Sequence, residues 1–163
     1  MAANRLSRSL APLDRLPSPL RIAARSLVLG RIVKFVGTAG LRVEELTESR
    51  AVVTIANRRR VQNHIGSVHA AAMALLAETA TGFVVGMNVP DDRVPVIKSL
   101  AIDYRKRATG NLRAVATLSD EQRANIRDSD KGEVTVAVTV TDAANIEPIE
   151  CRMVWAWTPK RNK

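Results

Sequence analysis

The sequence has one cysteine, Cys151, so no internal disulfide can form and a reducing, cytoplasmic setting is expected. Cys151 sits in an alternating, strand-like run where a small buried thiol is the expected role. Aromatic residues are scarce, with one tyrosine, two tryptophans and two phenylalanines, too few for a base-stacking platform. Nucleic acid is therefore not an expected partner. The two histidines, His64 and His69, do not combine with Glu78 at the four-residue spacing of a zinc-binding helix, so no metal is expected. A Gly-rich phosphate loop, a nucleophile elbow and a Cys–His pairing are all missing. Acidic side chains are also under-represented, 16 against 25 basic, giving a formal charge of +9 and an attraction to polyanions, phosphate-rich cofactors included. The basic residues are dispersed: an N-terminal arm, Arg58–Arg60, Arg105–Arg107 and a basic tail. Residues 1–36 hold seven basic side chains and one acidic, but no compact apolar core of a signal peptide.

What is present is a chain long enough for one domain with a substantial core. Residues 1–18, with prolines at 12 and 17, read as a loose lead-in. Apolar positions Leu20, Ile22, Ala23, Leu27, Ile32 and Val33 predict short helices over 19–36, ended by a break at Gly37–Gly40. LRVEEL and RAVVTIA read as strands joined by a turn. A basic loop, 58–65, precedes a long apolar helix starting with Gly66 or Ser67 as its cap and ending between Gly86 and Pro90. Four strands follow, the clearest being EVTVAVTVTD with Val134, Val136, Val138 and Val140 on one face. Ser119–Lys131 is a charged connection with room for a short helical turn. Residues 19–158 are expected to form a single α+β domain, an antiparallel sheet curled around one helix, with 159–163 as a basic tail. Exposed sheet edges in such an arrangement favour pairing with a second copy.

Glu78 is the only formally charged residue between Ile65 and Pro90. The helix around it is apolar on all sides and so should be wrapped by other structure. His69, Glu78 and several Ser, Thr and Gly make it a poor bilayer segment, and no membrane span is expected. A carboxylate is costly to bury alone, and perturbed carboxylates gather at functional sites. Glu78 is thus the leading catalytic candidate.

NHIGSVHAAAMALLAE, residues 63–78, resembles the active-site segment of hotdog-fold acyl-CoA thioesterases of the PaaI-like type. Their pattern runs Asn-Pro-x-Gly-x-x-His-Gly-Gly, with an Asp or Glu nine residues after the His. Asn63, Gly66, His69 and Glu78 occupy those offsets, while His64 stands in place of the Pro and Ala70-Ala71 in place of the Gly pair. IDYRKRATGNLRAVATL is similar to the family's next strand, aromatic-basic and followed by a Gly turn. FVGTAGLRVEEL and RRRVQNHIGSVHAAA are most similar to a bacterial group called DUF4442. The resemblance implies a hotdog fold, a curved antiparallel sheet wrapped around one long central helix.

It also implies hydrolysis of a fatty or aromatic acyl-CoA, with no cofactor beyond the coenzyme A of the substrate. In that reading Glu78 is base or nucleophile, and the N–H of Ala70, with that of Ala71, holds the thioester carbonyl. Asn63 orients water or carbonyl, and His69 shapes the helix start. Gly66, Thr79, Thr81 and Tyr104 join the substrate-binding set, and Arg58, Arg59, Arg60, Arg105, Lys106 and Arg107 are candidates for coenzyme A phosphates. The chemistry suits a thioester: a good leaving group needs an activated water or nucleophile, and a helix N-terminus supports the oxyanion. If His69 and Glu78 lie on one straight helix, they are about 13.5 Å and roughly 180° apart, so they cannot meet at one carbon. The family solves this with a two-fold axis, which implies an obligate homodimer, with a dimer of dimers as a larger alternative. The alternative function is non-catalytic binding of an acyl or acyl-CoA ligand, as in a hotdog repressor of lipid synthesis.

Overall fold

The computed structural model of the protein describes residues 4–160. Six strands form one antiparallel sheet: β1 (Arg42–Leu46), β2 (Arg50–Ile55), β3 (Arg93–Tyr104), β4 (Leu112–Thr117), β5 (Gly132–Asp142) and β6 (Ile149–Pro159). Their order is β1-β2-β4-β5-β6-β3, so β1 and β3 are the two edges. The alternating valines of β5 do what their period requires, with Val134, Val136 and Val140 buried and Thr135 and Ala137 facing out. This is the hotdog fold. The sheet curls around helix α4 (Ala70–Gly86), which touches β2, β3, β4, β5 and β6. Burial on so many sides explains why α4 has almost no polar face: Leu76, Ala77, Ala80, Val84 and Val85 are fully enclosed.

The N-terminal third differs from its sequence reading. From residue 4 on the lead-in is helical: α1 (Arg5–Leu10) is tied at its start to the end of α4, and a 3-10 turn (Ala11–Arg15) packs against α1 and the helix that follows. Asn4 both caps α1, accepting the Ser7 N–H at 2.9 Å, and donates to the carbonyls of Gly86 and Val89, each at 2.8 Å. The Arg8–Asp91 ion pair at 2.6 Å adds a second tie. Helix α2 (Ser18–Ile32) starts on the Pro17–Pro19 segment, and Pro near a helix start removes only an N–H that would be orphaned there. The expected break at residues 37–40 is instead inside α3 (Lys34–Ala39), which ends at Gly40 with φ +72°. α2 and α3 pack closely through two glycines: a Cβ on Gly37 would fall 2.6 Å from the Gly30 carbonyl oxygen. Ser26 fixes α2 to the sheet by accepting the Val43 N–H at 2.9 Å.

The charged connection after β4 contains a full helix, α5 (Asp120–Asp128), begun by a capping box between Ser119 and Gln122. α4 starts later than expected. Its cap is His69 rather than Gly66 or Ser67, because residues 63–68 are held in a turn that keeps them out of helical geometry.

Candidate active site

The start of α4 is built by local hydrogen bonds. Asn63 Oδ1 accepts the N–H groups of Ile65 and Ser67, both at 3.1 Å, and Gly66 takes φ +76° where a side chain would be strained. The side chain expected to orient water or carbonyl therefore also organises the loop. The His69 N–H bonds the Val61 carbonyl at 2.8 Å, and His69 Nδ1 accepts the Ala71 N–H at 3.1 Å. That second bond corrects the expected pair of carbonyl donors: the Ala71 N–H is already engaged, while the Ala70 N–H has no acceptor among the described residues. Because His69 is the cap and not part of the helix, the half-turn separation expected of His69 and Glu78 does not apply. The axial one does, since Ala70 and Glu78 are eight residues apart, about 12 Å of rise.

Tyr104, at the end of β3, donates its hydroxyl to the Ala70 carbonyl at 3.0 Å and so ties the sheet edge to the helix start. Arg107 braces the same loop through Ser67 Oγ at 3.2 Å and the Ile65 carbonyl at 2.9 Å. Arg105 is paired with Asp103 at 3.2 Å and Glu150 at 2.9 Å, so its charge is largely satisfied within the chain. The Arg60 guanidinium lies over Gly40. Arg58, Arg59 and Lys106 are exposed, with no side-chain hydrogen bond or ion pair among the described residues. The same holds for Arg60, so of the cations expected to meet phosphates these four are without an intrachain partner among the described residues.

Glu78 lines an apolar cleft of about 480 Å³. One wall is α4, through Thr79, Gly82, Phe83 and Gly86; facing it are Leu29, Ile32, Val33 and Val36 of α2 and α3, then Pro95–Ile97 of β3, with Trp155 and Leu6 completing the lining. Glu78 is the only charged residue of that surface, it is half-buried, and its carboxyl has no hydrogen-bond or ionic partner among the described residues. Burial accordingly pushes its pKa above the usual carboxylate range. Thr79 lines the same cleft, and its hydroxyl, buried, has no partner among the described residues. Thr81 does not reach it. Its hydroxyl accepts from Trp155 Nε1 at 2.9 Å and donates to the Ala77 carbonyl at 3.0 Å, deep in the core. Its expected place in the substrate-binding set gives way to a structural role.

The two halves of the expected site are thus formed but apart within one chain: an N–H donor and its brace at the start of α4, and an unpartnered carboxyl two turns on. Sequence reasoning missed the cleft walls. One signal was readable, the spacing of Glu78, Gly82 and Gly86, which puts two side-chain-free positions on the Glu78 face of α4.

No curated protein matches the chain. A structure from Pseudomonas aeruginosa, of unknown function and described as a probable thioesterase, is 26% identical, with a TM-score of 0.73 over 89% of this chain and 97% of that one. A thioesterase from Haemophilus influenzae is 14% identical, with a TM-score of 0.63 over 80% and 88% of the two chains. A thioesterase variant from Pseudomonas aeruginosa is 15% identical, with a TM-score of 0.65 over 93% and 94%. At those last two identities the likeness is one of fold. The model of the domain of unknown function DUF4442 matches residues 22–157, most of the sequence, and the chain belongs to that family within the hotdog thioesterase fold.

Proposed function

We propose that the protein hydrolyses acyl-CoA thioesters, with Glu78 as the base or nucleophile and the Ala70 N–H of a second copy as oxyanion donor. The observation that carries this is Glu78 itself, a carboxyl without a partner at the side of an apolar cleft. A group kept partly out of water and unpaired lowers stability, and its raised pKa brings it closer to the range useful for accepting a proton. The apolar walls suit an acyl chain, and the free Ala70 N–H at a helix start suits the negative oxygen formed when the carbonyl is attacked. Methyl groups at Ala70 and Ala71 narrow that approach without removing the donor. Arg58, Arg59, Arg60 and Lys106, exposed and without an intrachain partner among the described residues, are the cations we assign to phosphates outside the cleft.

The 12 Å between Ala70 and Glu78, an estimate from helical rise, forbids one chain from supplying both groups to one carbonyl. A two-fold dimer removes the difficulty. The β3 edge offers the surface for it: a twelve-residue strand with one side unpaired and Val94, Val96, Ile97 and Leu100 exposed. Antiparallel β3–β3 pairing would set the two α4 helices side by side in opposite directions.

Subunit mixing tests the whole reading. Glu78→Gln removes the carboxylate. Ala70→Pro removes the N–H at the first helical position, where Pro is well tolerated, and His69 with ψ 145° already has the extended backbone that a following Pro requires. Each variant alone should release thiol from acyl-CoA at least about a hundredfold more slowly. After exchange, half of the dimers are mixed and one of their two sites is intact, which predicts recovery to about a quarter of wild-type activity. No recovery despite confirmed exchange would refute the shared site. Saturable acyl-CoA binding without thiol release by the wild type would replace hydrolysis with ligand binding.

A further inference from the structure

The cleft has a direction and an end. Its α4 wall runs from Glu78 through Gly82 to Gly86, all on one face of the helix, with Thr79 and Phe83 beside them and the Trp155 ring laid against Gly82. At Gly86 the space is stopped by Leu6 of α1, whose Cδ2 is 3.4 Å from where a Gly86 Cβ would lie. Beyond Leu6 lies another hollow of about 410 Å³, with Val89, Pro90 and Val94 on its apolar side and Arg5, Asp91, Arg93 and Lys160 at its charged rim. Leu6, Ile32, Gly86 and Pro95 line both spaces and so form the partition between them. Of these, Leu6 is the one whose position depends on a segment before the family match at residue 22.

We propose that this cleft is a gauge for a linear saturated acyl chain of about eight to ten carbons, and that Leu6 is its stop. The length follows from geometry. Glu78 and Gly86 are eight residues apart, about 12 Å along the axis. Carbon–carbon bonds of about 1.5 Å in a zigzag advance about 1.3 Å per carbon, so about nine carbons fill that distance. The lining selects the chemistry: apart from Glu78 and Thr79 it is hydrocarbon or glycine, with nothing to satisfy a hydroxylated or charged chain. The stop is held firmly, since Asn4 bonds two carbonyls at the end of α4 and both the Arg5 N–H and the Arg8 guanidinium bond Asp91, each at 2.6 Å. Removing the Leu6 side chain would join the two hollows and let a longer chain pass.

This inference rests on the hydrolysis proposed above, and its test separates the two. For straight-chain acyl-CoAs of four to sixteen carbons, kcat/KM of the wild type should rise about fourfold per methylene and break at about eight to ten carbons. In Leu6→Ala the break should move to longer chains; in Leu6→Met, which keeps the bulk, it should stay. Calorimetric binding of the same series to Glu78→Gln should show the same break without turnover. A wild-type profile with no break up to sixteen carbons, or an unmoved break in folded Leu6→Ala, overturns the gauge. A break in binding with no thiol release at any length removes hydrolysis and leaves the gauge standing.

Discussion

Replacing Glu78 with Gln should make the protein more stable and less active at the same time. Gln keeps the length and shape of the side chain and removes only the charge. Glu78 is half-buried without a partner, so its ionised form loses hydration and gains nothing in return. Its folded pKa is raised above 4.5 by that burial. A carboxyl whose folded pKa exceeds its unfolded one retains a proton that the unfolded chain has already lost, so stability falls as pH rises between the two values. The penalty is absent below the unfolded pKa, fully developed above the folded one, and constant from there. Urea unfolding of both proteins across about pH 4 to 8 should therefore show matching stability at the acid end and a growing advantage for Glu78→Gln, with a plateau, as pH rises. Activity should move the other way. Loss of a general base costs about 100- to 10,000-fold, about 2.7–5.4 kcal/mol at 1.36 kcal/mol per decade, in kcat/KM measured by thiol release. The acid limb of the wild-type profile should lie above the ordinary carboxylate range. A Glu78→Gln protein less stable than wild type at neutral pH would mean that the carboxylate has a stabilising partner, and the reasoning would fail at its first step.

Other expectations address the frame of the site. Thr81→Val leaves the Trp155 indole N–H buried without an acceptor and should cost about 1–3 kcal/mol in denaturant unfolding; no loss would show that the bond is dispensable. Gly82→Ala places a Cβ 2.6 Å from the Trp155 ring carbons and should cost about 1–3 kcal/mol by overpacking, with acyl-CoA turnover reduced as the ring shifts into the cleft. Cys151 is half-buried, and burial pushes its thiol pKa up to about 11, so at pH 8 a thiol reagent should label it far more slowly in the folded protein than in the unfolded one; equal rates would contradict its placement.

How much of this was legible beforehand depends on whether the cause was local. The β5 strand could be read because its one buried face imposes a two-residue period on it. Glu78 could be singled out because α4 is wrapped on nearly all sides, which clears polar residues from it and leaves one acid conspicuous. The motif picked out Asn63, Gly66 and His69, but not what they do: Asn63 Oδ1 holds Ile65 and Ser67 in a turn, which moves the cap from Gly66 or Ser67 to His69, and His69 Nδ1 engages the Ala71 N–H. What could not be read has partners far along the chain. Thr81 and Thr79 are two positions apart in one helix, yet Trp155 claims the first while the second faces the cleft. Arg105 is committed to Glu150, 45 residues later.

Periodicity and composition alone gave a sheet curled around one apolar helix and the identity of its lone acid, and the resemblance at residues 63–78 implied the hotdog fold. Tertiary structure decided that the proline-containing lead-in folds back, because Asn4 finds its acceptors at Gly86 and Val89, more than eighty residues away. It also decided where the cleft runs and what closes it. A short polar helix has no period or propensity that reveals its docking place; only the unsatisfied carbonyls at the end of α4, and the gap beside its glycines, fix Leu6 there.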